Sequence, residues 1–206
     1  MYKFARVFCA AVCVMSWGYV MAQTEFSADI VNDNHQNAPS ARMYFGKDKM
    51  RIESKGSDPR GGVVLLDMTA QTSMVLMPQQ HMYVELPMQN TMRRNMNLFH
   101  VQDVDNACGQ WLEMPQNKGG SCHKVGNETV NGRNTVKYEG TNAKGESATV
   151  WIDPKLRFPV KWQGSKGDSG EMTNIQEGSQ PASLFEIPSG YQKMDMGEMM
   201  MKPPQQ

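Results

Sequence analysis

The sequence predicts a mainly β (α+β) domain, an antiparallel meander of strands with one amphipathic helix laid on it. Three observations carry that prediction. Apolar and polar residues alternate through most of the chain after residue 22, as strands with one buried face require. Turn residues recur at close spacing between those runs. Helices do not alternate with the strands, as they would around a parallel sheet.

Residues 1–22 have the three parts of a cleavable secretory signal. Lys3 and Arg6 supply the positive start, Val7 to Val20 is an uncharged apolar run, and Val20-Met21-Ala22 offers a cleavage site before Gln23. The run falls short of the ~20 apolar residues that a spanning helix needs. An uncleaved anchor is the competing reading. Lipidation is disfavoured, because Phe8 and Val12 precede Cys9 and Cys13.

The strands follow in order. Phe26, Ala28 and Ile30 alternate with Ser27, Asp29 and Val31, and Met43 with Phe45, then Met50 with Ile52, repeat the pattern. Val63-Val64-Leu65-Leu66 is a continuous run, which predicts a strand covered on both faces. Thr72–Met77 and Met82–Leu86 flank the short turn Pro78-Gln79-Gln80. Val125–Val130 and Thr135–Glu139 flank Asn131-Gly132, a strong hairpin signal. Ala148–Ile152, Val160–Gln163 and Met172–Ile175 complete a set of about ten strands. From Met88 to His100 the spacing changes to a helical one: Met88, Met92, Met96 and Phe99 share a face opposite Arg93 and Arg94. A short helical turn is expected near Ala182–Phe185. From 194 to 206 the chain carries Met, Pro and Gln without a core pattern and reads as a flexible tail.

The chain thus divides into a signal (1–22), one domain (23–193) and a tail (194–206). Without Lys3 and Arg6, the 21 basic residues become 19 against 21 acidic ones. A near-neutral chain without basic blocks disfavours nucleic acid as a partner. Cys108 and Cys122 are the cysteines left after signal removal. In an oxidising compartment such a pair is most simply one disulfide, closing a segment with Gly109, Pro115, Gly119 and Gly120 that otherwise has little to hold it. A redox or metal pair is the competing reading, with His123 the one ligand nearby.

Val150-Trp151-Ile152-Asp153-Pro154, followed by Phe158-Pro159-Val160-Lys161, resembles a pattern of the LolA/LolB-like envelope carriers. Phe185-Glu186-Ile187-Pro188-Ser189-Gly190-Tyr191 is similar to the close of such domains, and Gly126 to Arg133 to a hairpin of their relatives. The resemblance implies an unclosed, half-open β-barrel wrapped around a helix that acts as a plug, enclosing an apolar cavity. It also implies a periplasmic or secreted, non-enzymatic carrier that holds a lipid or lipoprotein acyl chain.

Candidate chemistry follows from residue types. His35, His81, His100 and His123 are scattered, and no nucleophile elbow, HExxH pair or Gly-rich phosphate loop accompanies them. No cofactor is expected. Methionine is flexible and polarisable, which suits a wall that must fit variable chains. Met43, Met74, Met77, Met82, Met88, Met92, Met96 and Phe99 are therefore the candidate cavity and lid residues, with Met50 and Met68 beside them; each can equally be ordinary core. Met194, Met196, Met199, Met200 and Met201, with Asp195 and Glu198 among them, are a candidate Cu(I) site, since thioethers are soft ligands. Asn127-Glu128-Thr129 matches the N-glycan acceptor pattern; the resemblance implies a bacterial source, in which the match is a coincidence. The partners expected are an apolar ligand and an envelope protein, with the chain itself a monomer. A structural or interaction module without a ligand is the remaining alternative.

Overall fold

The computed structural model describes residues 23–32, 39–55, 62–87 and 101–195. Among these, one sheet of twelve strands carries the fold. Its strands are β1 (Phe26–Asn32), β2 (Pro39–Gly46), β3 (Lys49–Ser54), β4 (Val63–Asp67), β5 (Thr72–Met77), β6 (Met82–Pro87), β7 (Ser121–Val130), β8 (Arg133–Thr141), β9 (Ser147–Asp153), β10 (Phe158–Gly164), β11 (Ser169–Glu177) and β12 (Gln192–Lys193). A short helix, α1 (Ala107–Leu112), precedes β7.

The spatial order is β12-β6-β5-β4-β3-β2-β1-β11-β10-β9-β8-β7. Strands β1 to β6 form one antiparallel meander and β7 to β11 a second, and the two are joined where β1 pairs with β11. β12 then returns to the far margin and pairs in parallel with β6. The marginal strands β7 and β12 do not meet, so the sheet is a half-open barrel.

Strand alternation sorts the residues onto two faces. The inner face of β1–β4 places Ala28 opposite Met43, Phe26 opposite Phe45, Met43 opposite Ile52 and Met50 opposite Leu66. These join Leu156, Phe158, Val160 and Met172 in the main core. Phe26, Phe45 and Phe158 form a triangle of rings with centroids 5.2–5.8 Å apart, spacing suited to favourable aromatic contact.

The run Val63–Leu66 is covered on both faces, as its composition predicts. Leu66 belongs to the main core, whereas Val63 and Leu65 pack outward with Leu76, Met74, Tyr83 and Tyr191. Tyr191 arrives because the segment after β11 crosses the outer face. Its 3-10 turn Ala182–Phe185 is anchored by Arg51, which donates to the Leu184 carbonyl at 3.0 Å, and buries Phe185. The Phe185–Tyr191 motif is therefore a fold-closing strap.

The other motifs also have structural roles. Asn131 and Gly132 adopt φ of 48° and 78°, which a type I′ hairpin turn demands. Asp153 accepts from the backbone N–H groups of Lys155 and Leu156, capping the turn into β10. Its other oxygen pairs with Arg133, which also bonds Glu177 at 2.7 Å. Burial disfavours the Arg133 cation, but these carboxylates outweigh it and hold its pKa above the usual value. Trp151 points outward and is buried, its ring lying between Lys137 and Lys161 at 5.2 and 5.1 Å.

One element departs from the sequence reading. The segment around Cys108 contains α1, where an irregular loop dependent on its disulfide was expected. Gly109 weakens the local helix propensity and hides the pattern. Packing supplies the missing stability, because Ala107 and Met114 are buried. The helix expected over 88–100 lies outside the described residues, as does the signal segment.

Candidate functional site: an apolar cavity on the inner face

A cavity of about 530 Å³ lies on the inner face between the sheet and α1. That is within the usual range for small-molecule sites, ~300–1,000 Å³. Strands β1 to β3 contribute Ile30, Met43, Met50 and Ile52, and β8 to β11 contribute Tyr138, Val150, Ile152, Trp162 and Met172. The α1 side contributes Val101, Ala107, Trp111 and Met114. The phenylalanine triangle fills the space beside it, around Phe26, Phe45 and Phe158. The other end of the cavity reaches Asn32, Gln163, Gly164 and Asp168, where β1 ends and the β10–β11 turn begins.

Both tryptophans lie against glycines. A Cβ at Gly140 would meet the Trp111 ring at 2.9 Å, and one at Gly170 would meet Trp162 at 2.6 Å and the Asn32 Oδ1 at 2.7 Å. Glycine within a strand marks such close approach. Gly140 and Gly170 are thus what lets each indole approach the sheet so closely and wall the cavity.

The α1 wall is tied down at several points. Cys108, in α1, is disulfide-bonded to Cys122, the second residue of β7. Tyr138 donates its hydroxyl to the Val104 carbonyl at 2.7 Å, and burial raises its pKa. Val101 N–H donates to the Arg157 carbonyl at 3.0 Å while Arg157 Nε donates to the Val101 carbonyl at 3.1 Å. Lys124 pairs with Asp105 at 2.8 Å. After α1, the buried Asn117 donates to the Trp111 carbonyl at 3.1 Å and fixes the turn carrying Met114.

Of the methionines expected to line the cavity, Met43 does so, together with Met50. Met74 lies on the opposite face, in the outer cluster of Val63, Leu65 and Leu76; its register partner is Leu65, which faces outward. Met77 and Met82 pair with one another at the far end of the β5–β6 hairpin and are not among the lining residues. Met88, Met92, Met96 and Phe99 lie outside the described residues. Sequence reasoning missed Trp111, Met114, Trp162 and Met172. No local signal marks them, because even the pairing of each tryptophan with its glycine appears only in three dimensions. In the tail, Met194 is half-buried and its N–H bonds the Tyr83 carbonyl at 2.8 Å; Met196, Met199, Met200 and Met201 lie outside the described residues. Among the described residues no group of His, Cys, Asp or Glu is arranged to hold a metal. No helix among them is long and apolar enough to cross a membrane.

No protein-family model matches the chain, and neither does any curated protein. Similarity appears at the level of structure. An uncharacterized conserved protein from Thermus thermophilus superposes with a TM-score of 0.53 at 13% identity, covering 84% of this chain and 90% of that one. PNGF-II superposes at 0.50 with 13% identity over 87% of this chain, which spans only 33% of PNGF-II. A LolA superfamily protein from Nitrosomonas europaea matches at 12% identity over 80% of this chain and 89% of its own, with a TM-score of 0.27. Similarity this remote in sequence concerns the fold alone. The unclosed sheet, its inner-face helix and the apolar cavity between them are the architecture that the Trp-x-Asp-Pro and Phe-x-x-Pro-x-Gly-Tyr motifs imply. In fold, this chain is an open barrel, one unclosed twelve-stranded sheet with a short helix on its inner face.

Proposed function

We propose that the protein is a non-enzymatic carrier, working in the periplasm or outside the cell, that holds the acyl chain of a lipid or lipoprotein in this cavity. One observation supports the reading above others: a 530 Å³ space on the core side of the sheet, walled by Met43, Met50, Met114 and Met172 and by two indoles. A core that served stability alone would close such a space, since empty volume forfeits packing energy. Methionine walls adapt to chains of differing shape. Affinity would come from apolar area removed from water, at ~25 cal/mol per Å², and the phenylalanine triangle would limit how far the chain penetrates. An envelope protein that delivers or receives the cargo completes the scheme.

Native mass spectrometry of protein purified from its own envelope tests this. The expected result is a lipid adduct that solvent extraction removes and that Met43→Trp diminishes by filling the cavity. A clean unliganded mass, with no uptake of added single-chain lipid, overturns the reading.

A further inference from the structure

Strand register decides which side chains reach the polar end of the cavity, and the inference drawn from it rests on the carrier reading. Tyr138, Val150 and Trp162 pair across β8–β10 and face inward, as do Gly140, Ala148 and Gly164. Glu139, Thr149 and Gln163 lie between those two rows and therefore point to the outer face, where Glu139 meets Lys137 at 3.6 Å and His123 at 3.9 Å. Asp168 is exposed in the β10–β11 turn. The described lining includes no Lys, Arg or His, so the inner wall at this end is polar without being charged.

Asn32 and Trp162 supply that polarity. Asn32 pairs with Gly170 across the β1–β11 junction, and Gly170 pairs with Trp162 on its other side. The point a Cβ would occupy at Gly170 lies 2.7 Å from the Asn32 Oδ1 and 2.6 Å from Trp162 Cζ2, a ring carbon beside the indole N–H. The missing side chain thus brings an amide and an indole into one corner of the cavity. Among the described residues neither the Asn32 side chain nor the Trp162 N–H has a hydrogen-bond partner. Gln110 also lines the cavity, but its Oε1 accepts from the Gln102 N–H at 3.1 Å.

We infer that Asn32 and Trp162 form a head-group subsite for an uncharged amphiphile, an acyl chain whose head offers a carbonyl and a hydroxyl, as a monoacylglycerol does. The indole N–H donates to the carbonyl and the Asn32 Oδ1 accepts from the hydroxyl, while the tail runs along Met43, Met50 and Met172. Binding then pairs polar groups that the ligand would otherwise bury unpaired. A charged head in the same corner would leave water and find no opposing charge on the inner wall, at a larger desolvation cost. It stays at the rim instead, and its chain is drawn part of the way out.

Three probes of matched tail length separate the possibilities: 1-monolaurin, dodecanoate and dodecyltrimethylammonium. Each is titrated below its micelle concentration, with calorimetry as the readout. The wild-type protein should bind 1-monolaurin tightest and each charged probe about tenfold weaker or more, because an unpaired charge resists leaving water. Asn32→Leu and Trp162→Phe remove hydrogen-bonding groups while keeping apolar bulk. Each should weaken 1-monolaurin about three- to tenfold, the worth of one hydrogen bond, and change dodecyltrimethylammonium less than about twofold; circular dichroism checks that each variant is folded. Equal or tighter binding of a charged probe by the wild-type protein, a result that needs no variant, overturns the inference and leaves the carrier reading standing. So does undiminished 1-monolaurin affinity in either folded variant. Failure of all three probes to bind overturns both.

Discussion

Adding one methyl group at Gly140 and at Gly170 is expected to have different consequences, although both are strand glycines beneath a tryptophan. At Gly140 the three nearest atoms to a new Cβ all belong to the Trp111 ring, at 2.9 to 3.2 Å. Carbon contacts favour ~3.5–4.0 Å, so the ring must retreat by about half an ångström or more. It has somewhere to go, because the cavity lies beside it. Gly140→Ala is therefore expected to cost less than about 1 kcal/mol, partly offset by the reduced freedom of the unfolded chain, and to shrink the cavity. At Gly170 the obstacles include the Val31 carbonyl at 2.8 Å as well as Trp162 and Asn32. Backbone within a paired strand cannot yield as a ring can, and overpacking of this kind costs ~1–3 kcal/mol. Urea titration of both variants, with uptake of a fluorescent single-chain probe measured beside it, reads the two effects separately. Gly140→Ala should lose uptake while keeping most of its stability, and Gly170→Ala should lose stability. The reverse ranking, or unchanged uptake in Gly140→Ala, refutes the placement of Trp111 as a cavity wall.

Two further outcomes follow from other parts of the fold. Replacing Cys108 and Cys122 by Ala opens a loop of sequence separation 14, worth ~3 kcal/mol in the chain-entropy model. At ~2–4 °C per kcal/mol for a domain of this size, the melting temperature should fall by about 6–12 °C; a shift under about 2 °C would show that the contacts of Val101, Val104 and Asp105 hold the α1 segment unaided. Burial raises the energy of the Asp29 carboxylate, but bonds from Asn174, Lys55 and Arg42 outweigh this and lower its pKa from 3.8 to about 2. A depressed pKa contributes stability that is complete above the unfolded value and is lost as pH falls from about 4 through 2. Wild-type protein should lose roughly 2 kcal/mol of stability over that window through this group, and Asp29→Asn should flatten that part of the profile in denaturant titrations at stepped pH.

Much of the fold was legible because strand alternation and turn chemistry are local. The Asn131-Gly132 turn, the hairpin around Pro78 and the two-sided burial of Val63–Leu66 could each be read from a few neighbouring residues. α1 was not legible, since the weak helix propensity at Gly109 is overcome by packing contacts that no local window contains. The site was half legible for a related reason. Counting methionines found Met43, but sequence abundance carries no information on which face of the sheet a residue occupies once bulges intervene. β1 has register shifts near Ser27–Asp29 and Ile30–Val31, and β7 and β10 have one each, near Lys124–Gly126 and Pro159–Lys161. Met74 belongs to a strand whose buried residues divide between both faces, so hydrophobicity could not assign it. Trp111 and Trp162 came into the cavity by lying on Gly140 and Gly170, pairings visible only as close approach in three dimensions.

The junction between β1 and β11 carries a consequence for how the chain acquires its shape. Phe26 lies opposite Glu177, whereas almost every other strand pairs with its sequence neighbour. Each meander can therefore organise from short loops, but the ring triangle needs Phe158 from the second beside Phe26 and Phe45 from the first. Contacts so distant along the chain pay their loop-closure entropy late. The docking of the two meanders should then be the slow step of folding, with β1 left as an unpaired edge until it happens. A chaperone that shields that edge would gain time for the second meander to arrive, and substitutions at Ser27 or Ile30 should slow refolding more than equal losses of stability elsewhere.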